Sequence, residues 1–129
     1  MVAMNLTKEM IEAGAALVQK LDSSGFQPDA AFWFYFPDVQ RWKLVLAELK
    51  LGDQGPRQIY KKIQEVLSSE QTDLHEISLG DVTLAKPDAP IVALMRDAIR
   101  TGQGTSGIRL SNNVINGTVI DDAYIYRLH

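Results

Sequence analysis

The residues whose types and spacing could do chemistry gather in one stretch, Thr101-Gly102-Gln103-Gly104-Thr105-Ser106-Gly107, with Arg100 just before it and Arg109 just after. Glycines beside hydroxyl side chains can wrap an anion in backbone amides, and an arginine fork matches the geometry of a phosphate. A candidate anion cradle is therefore Thr105, Ser106, Arg109 and Arg100, with Arg96 as a further cation. The setting argues the other way. Phosphate loops gain their affinity by leading into a helix N-terminus, where amides and dipole converge. This loop leaves a helical pattern for a strand pattern and carries no Gly-Lys-Ser/Thr. It reads first as a connector, and second as a site for a phosphate-bearing small molecule or nucleic acid.

Other chemistries are thinner. Gly104-Thr105-Ser106-Gly107 lacks the residue between serine and second glycine that a nucleophile elbow requires. A serine–histidine–acid arrangement would need His75, in a polar segment, or His129, the last residue. Asp121 and Asp122, with Glu76 or Asp81, offer oxygen ligands of the kind magnesium takes. Neighbouring residues on a strand point to opposite faces, however, so the pair reads as a solvated strand start or as charges that blunt a sheet edge. With no cysteine there is no disulfide, thiolate metal site or thiol nucleophile, and two histidines are too few for a histidine zinc site. No cofactor or metal is expected, and these residues assign no catalytic group.

The aromatic residues are more concentrated than the polar ones. Six of the ten Phe, Trp and Tyr residues fall between Ala31 and Leu49, which makes that stretch the centre of the fold. Ala31-Phe32-Trp33-Phe34-Tyr35-Phe36 and Trp42-Lys43-Leu44-Val45-Leu46-Ala47-Glu48-Leu49 read as two antiparallel strands joined through Pro37-Asp38. Alternation puts Phe32, Phe34 and Phe36 on one face and Ala31, Trp33 and Tyr35 on the other, so both faces are apolar. Trp33, Tyr35, Tyr124 and Tyr126 would suit a base-stacking platform, but residues 30–36 carry no Lys or Arg to hold a phosphate backbone. A chargeless aromatic ribbon left in water would be a contiguous apolar patch, forgoing roughly 1.5–3 kcal/mol per large side chain. Helices or another chain must cover it. Trp33, Tyr35 and Trp42 are accordingly the candidate anchors of an interface, since hot spots favour Trp and Tyr.

Length and composition frame these readings. A chain of 129 residues, 46% hydrophobic and 22% charged, fits a single ordered domain spanning 1–129. The 13 basic and 16 acidic residues leave a formal charge of -3, which speaks against a broad electrostatic footprint for nucleic acid or an anionic membrane. No basic segment leading into an apolar run precedes Thr7, and the longest apolar run is far short of a membrane span. A soluble, cytoplasmic protein of bacterial style is expected.

The remaining elements must position these groups. A first helix is predicted over Thr7 to Ser23, with Asn5 or Thr7 as cap, Gly14 among alanines as a point of close approach, and Gly25 as its stop. A second starts at Pro56 and runs to about Ser69, with Ile59, Ile63, Val66 and Leu67 inward and Arg57, Lys61 and Lys62 outward. Leu74 to Ala85 suggests one or two short strands with a turn or bulge at Gly80-Asp81. A third helix, capped by Asp88, runs from Pro90 to about Thr101 with Ile91, Leu94, Met95, Ala98 and Ile99 inward. Asn116-Gly117 signals a two-residue hairpin pairing Ile115 with Thr118, Leu110 with Ala123 and Ile108 with Ile125; a turn at Asn112-Asn113 is the alternative.

The whole reads as one α+β domain in the order α-β-β-α-β(β)-α-β-β, with a mainly antiparallel sheet and about three helices packed on it. The leading functional expectation is a small non-catalytic protein acting through a protein partner or a homodimer. The second is the phosphate-site protein, taking a small-molecule ligand on the loop described above.

Overall fold

The computed structural model describes residues 6–23, 25, 28–47, 56–67, 79–86, 89–99, 107–115 and 117–128. Helix α1 (Lys8–Ser23) is followed by strands β1 (Ala30–Phe36) and β2 (Arg41–Ala47), helix α2 (Pro56–Leu67), and a 3-10 turn (Leu79–Asp81). Strand β3 (Val82–Ala85), helix α3 (Pro90–Ala98) and strands β4 (Ile108–Ile115) and β5 (Thr118–Leu128) complete the chain. The strands form one sheet in the order β3-β2-β1-β5-β4. The expected α+β class and element order hold.

The sheet is mixed: β1·β2, β1·β5 and β4·β5 are antiparallel, and β2·β3 is parallel. The parallel pair follows from α2 lying between β2 and β3, because a helical crossover returns the chain to the end of the sheet where it started. Gly80-Asp81 accordingly belongs to the 3-10 turn that leads into β3, not to a hairpin. The β4–β5 register matches apolar with apolar as the Asn-Gly signal required: Ile115 opposite Thr118, Leu110 opposite Ala123, Ile108 opposite Ile125. Asn112 does not turn the chain. It adopts φ 53° within β4, a left-handed kink that asparagine tolerates.

Both sheet faces are covered from within. On one, Ala31, Trp33, Trp42, Leu44, Leu46, Val82 and Tyr126 pack against Ala13, Leu17, Val18 and Leu21 of α1 and Ile63 of α2. On the other, Phe32, Phe34, Val45, Ala123 and Ile125 pack against Val92 and Met95 of α3. The start of α1 agrees with its sequence expectation, and both ends of α3 differ from theirs. At α1, Thr7 is the cap, its hydroxyl accepting from the Met10 amide at 3.1 Å. At α3 the capping position is Ala89, with no side-chain bond to the first turn, and Asp88 lies outside the described residues. The helix also stops short of Thr101, because Ile99 turns extended (φ -147°) and packs on the α3-side core. His75 and the rest of the Leu74–Ser78 stretch are likewise outside the described residues.

Candidate functional site

The three aromatic anchor candidates sit at three depths. Trp33 is fully buried beneath α1. Its indole N–H donates to the Tyr126 hydroxyl at 2.9 Å, and that hydroxyl donates to the Ile11 carbonyl of α1 at 2.5 Å. Burial pushes the Tyr126 phenol well above its ordinary range, outweighing the opposing effect of the Trp33 hydrogen bond. This placement gives Trp33 to the core and leaves none of its surface for a partner. Trp42 is 4% exposed, while Tyr35, its direct cross-strand neighbour, is half-buried with the two rings 5.5 Å apart. The proposed base-stacking platform is dismantled in the same way, since Trp33 and Tyr126 both lie under α1.

Arg109 closes over Trp42. Its guanidinium carbon lies 5.7 Å from the indole centroid, within cation–π range. Below it, Nε and Nη2 donate to the two carboxylate oxygens of Asp122 at 2.7 and 2.6 Å, and the Ser111 hydroxyl adds a bond to Asp122 at 2.9 Å. Burial alone would raise the Asp122 carboxyl. The hydrogen bonds from Arg109 and Ser111, with the Arg109 charge, outweigh it and hold the carboxyl below its ordinary value. The same bond to Asp122, against some loss of hydration, holds Arg109 still more firmly protonated. Arg109 is thus engaged by an acid of its own chain. Thr105, Ser106 and Arg100, its partners in the proposed anion cradle, lie outside the described residues.

Asp122 is bonded to Arg109 and Ser111, and no group of three metal-ligating side chains occurs among the described residues. Asp81 meets Arg41 instead, at 3.4 Å.

The β4–β5 hairpin adds a feature beyond the sequence expectations. Beyond Ala123, β5 no longer pairs with β1, and the β4–β5 hairpin continues as a two-stranded ribbon. Past the left-handed Asn112 its inner side, Ile115 and Ile120, packs on the α3-side core around Phe34 and Phe36. Alternation then turns Val114 and Val119, a directly opposed pair, outward; they are 67% and 60% exposed. Val39, 57% exposed, stands on the turn between β1 and β2, and the antiparallel β1·β5 register brings that turn to the ribbon's end of the sheet. Among the described residues these three valines are the exposed large hydrophobics. A sequence reading that tracked the kink at Asn112 would have found the reversed side.

The edge of β4 is blunted at its middle. Asn113 donates from its side-chain amide to the Ser111 carbonyl at 3.0 Å, bridging the kink at Asn112. At the opposite edge, the Leu84 amide of β3 donates to the Tyr60 hydroxyl of α2 at 3.4 Å.

Compared with protein-family models, with curated proteins and with solved structures, the chain matches none. No helix among the described residues is long and apolar enough to cross a membrane.

Proposed function

We propose that this chain is a cytoplasmic, non-catalytic protein that acts by docking a protein through the outer side of the β4–β5 ribbon. The single observation that carries the reading is the opposed Val114–Val119 pair, held in water on a ribbon whose other side is buried. A folded chain gains nothing from presenting two apolar side chains side by side at its extremity, whereas a partner that covers them recovers their burial. The half-buried Tyr35 and the Arg109–Trp42 stack lie further along the sheet face that the α1 side shares, and supply an aromatic and a planar cation of the kind hot spots favour.

A photo-crosslinking residue at position 114, introduced in the cells that naturally make this chain, tests the reading. A discrete adduct heavier than the 14.3 kDa chain is expected from position 114 and not from Lys20, on the exposed side of α1. Failure to form such an adduct overturns the reading.

A further inference from the structure

We infer that the occupant of the valine surface is a basic, apolar segment of a different protein. The inference rests on the docking reading above and adds the partner's chemistry. Charge makes the choice. The two arginines nearest this end are each matched by an acid, Arg109 by Asp122 and Arg41 by Asp81. Asp38, next to Val39 in the chain, and Asp121, two residues from Val119, have no ion-pair partner among the described residues and stand as the uncompensated charges nearest the valines. Lys43 pairs opposite Phe34 and so belongs to the sheet face that α3 covers.

An apolar surface with two uncompensated carboxylates one and two residues from its valines repels polyanions. A nucleic acid or an anionic membrane would bring phosphates against Asp38 and Asp121, and the chain's net charge of -3 adds to that repulsion. A second copy fares little better, because it brings the same uncompensated carboxylates and the same net charge of -3 to the contact. Addition of a strand to the β4 edge is opposed by the Asn112 kink and by the Asn113 amide occupying the Ser111 carbonyl. What fits is a polypeptide lying across the ribbon face, with aliphatic side chains on the valines and Lys or Arg reaching the two carboxylates.

Two synthetic amphipathic peptides of equal length test this on the purified full chain, one alternating leucine faces with lysine and one with glutamate. The leucine–lysine peptide is expected to bind, and more weakly as salt rises through the range where the Debye length shrinks below about 10 Å. Replacing Val114 and Val119 together by Ser should weaken it by about tenfold or more, and Asp38→Asn with Asp121→Asn by roughly fivefold at low salt. All four side chains are outside the core, so circular dichroism and thermal melting of the variants should match the parent. Equal binding of both peptides, lost on the valine replacement, would keep the docking surface and overturn the basic partner. Binding of neither peptide, or lysine-peptide binding that the valine replacement leaves intact, overturns the inference. A concentration-dependent dimer in sedimentation, abolished by the valine replacement, overturns it in favour of a second copy.

Discussion

Trp33 on β1 and Tyr126 on β5, 93 residues apart, share a 2.9 Å hydrogen bond, and the Tyr126 hydroxyl passes the link on to the Ile11 carbonyl of α1. The β1·β5 ladder makes this possible. Register shifts between Ala31 and Phe32, where Ala31 faces Arg127 and Phe32 faces Ile125, so Tyr126 is an extra residue in β5. The bulge lets two consecutive side chains, Tyr126 and Arg127, both reach α1. One irregularity in one strand thereby fixes the helix at two points.

Tyr126→Phe removes the acceptor of a buried indole N–H and the donor to a helix carbonyl, and should cost about 1–3 kcal/mol by urea unfolding, since orphaned buried polar groups are the expensive part. The pH dependence has a definite sign. Tyr126 holds its proton more tightly folded than unfolded, where its ordinary value is 10.0, so its contribution is complete below that pH and is lost as pH rises above it. The parent should lose stability above pH 10 more steeply than Tyr126→Phe does.

Gly14 is where α1 comes closest to the sheet. A Cβ there would press on the Tyr126 hydroxyl and lie 2.8 Å from the Trp33 indole nitrogen. Alanine would favour the helix by about 1 kcal/mol, but overpacking a fitted core costs about 1–3 kcal/mol. The clash should win, so Gly14→Ala lowers stability. Adding Tyr126→Phe removes the atom that is struck. The double variant should therefore lose less than the sum of the two single losses, and strict additivity in denaturant titrations would show that the two residues do not meet.

Much of this architecture was legible in the sequence, for reasons that are local. Period-two aromatics and the Asn116-Gly117 signal fix strands and register, because turn chemistry and side-chain alternation act over a few residues. Gly14 among alanines marked the close approach, and the apolar ribbon had to be covered on both sides. What stayed hidden depends on partners distant in sequence. Nothing near Trp33 announces Tyr126, nothing near Val82 announces a parallel neighbour, and Arg109 reads as a free cation until Asp122 is seen beneath it. The outward valines were hidden by a single left-handed residue, Asn112, past which the ribbon presents its other side.

Asp22 and Arg127 hold the end of α1 to β5. The guanidinium, 3% exposed, donates to both carboxylate oxygens at 3.0 and 2.8 Å and to the Pro28 carbonyl at 2.8 Å. Asp22→Ala leaves a buried cation without its anion, a change that costs about 3–5 kcal/mol. Replacing both residues by apolar ones of similar size should cost less than Asp22→Ala alone, because the stranded charge is then gone. Thermal melts of the three variants measure the order.

Arg109→Ala should do little to overall stability and much to two local readouts. The pair it forms with Asp122 is largely solvated, with the arginine side chain 43% exposed, and such pairs contribute about 0–1 kcal/mol. Without the guanidinium over it, Trp42 gains contact with water, so the fluorescence emission should shift to longer wavelength while fully buried Trp33 holds its position. The Asp122 carboxyl loses the arginine's bonds and charge but keeps its burial, so its titration moves upward from below its ordinary 3.8. A carboxyl held low when folded contributes stability above its unfolded value and loses it as pH falls through the folded one. Acid unfolding of Arg109→Ala should therefore begin at a higher pH than in the parent. An unchanged carboxyl titration by NMR would mean that Arg109 does not set the charge of Asp122.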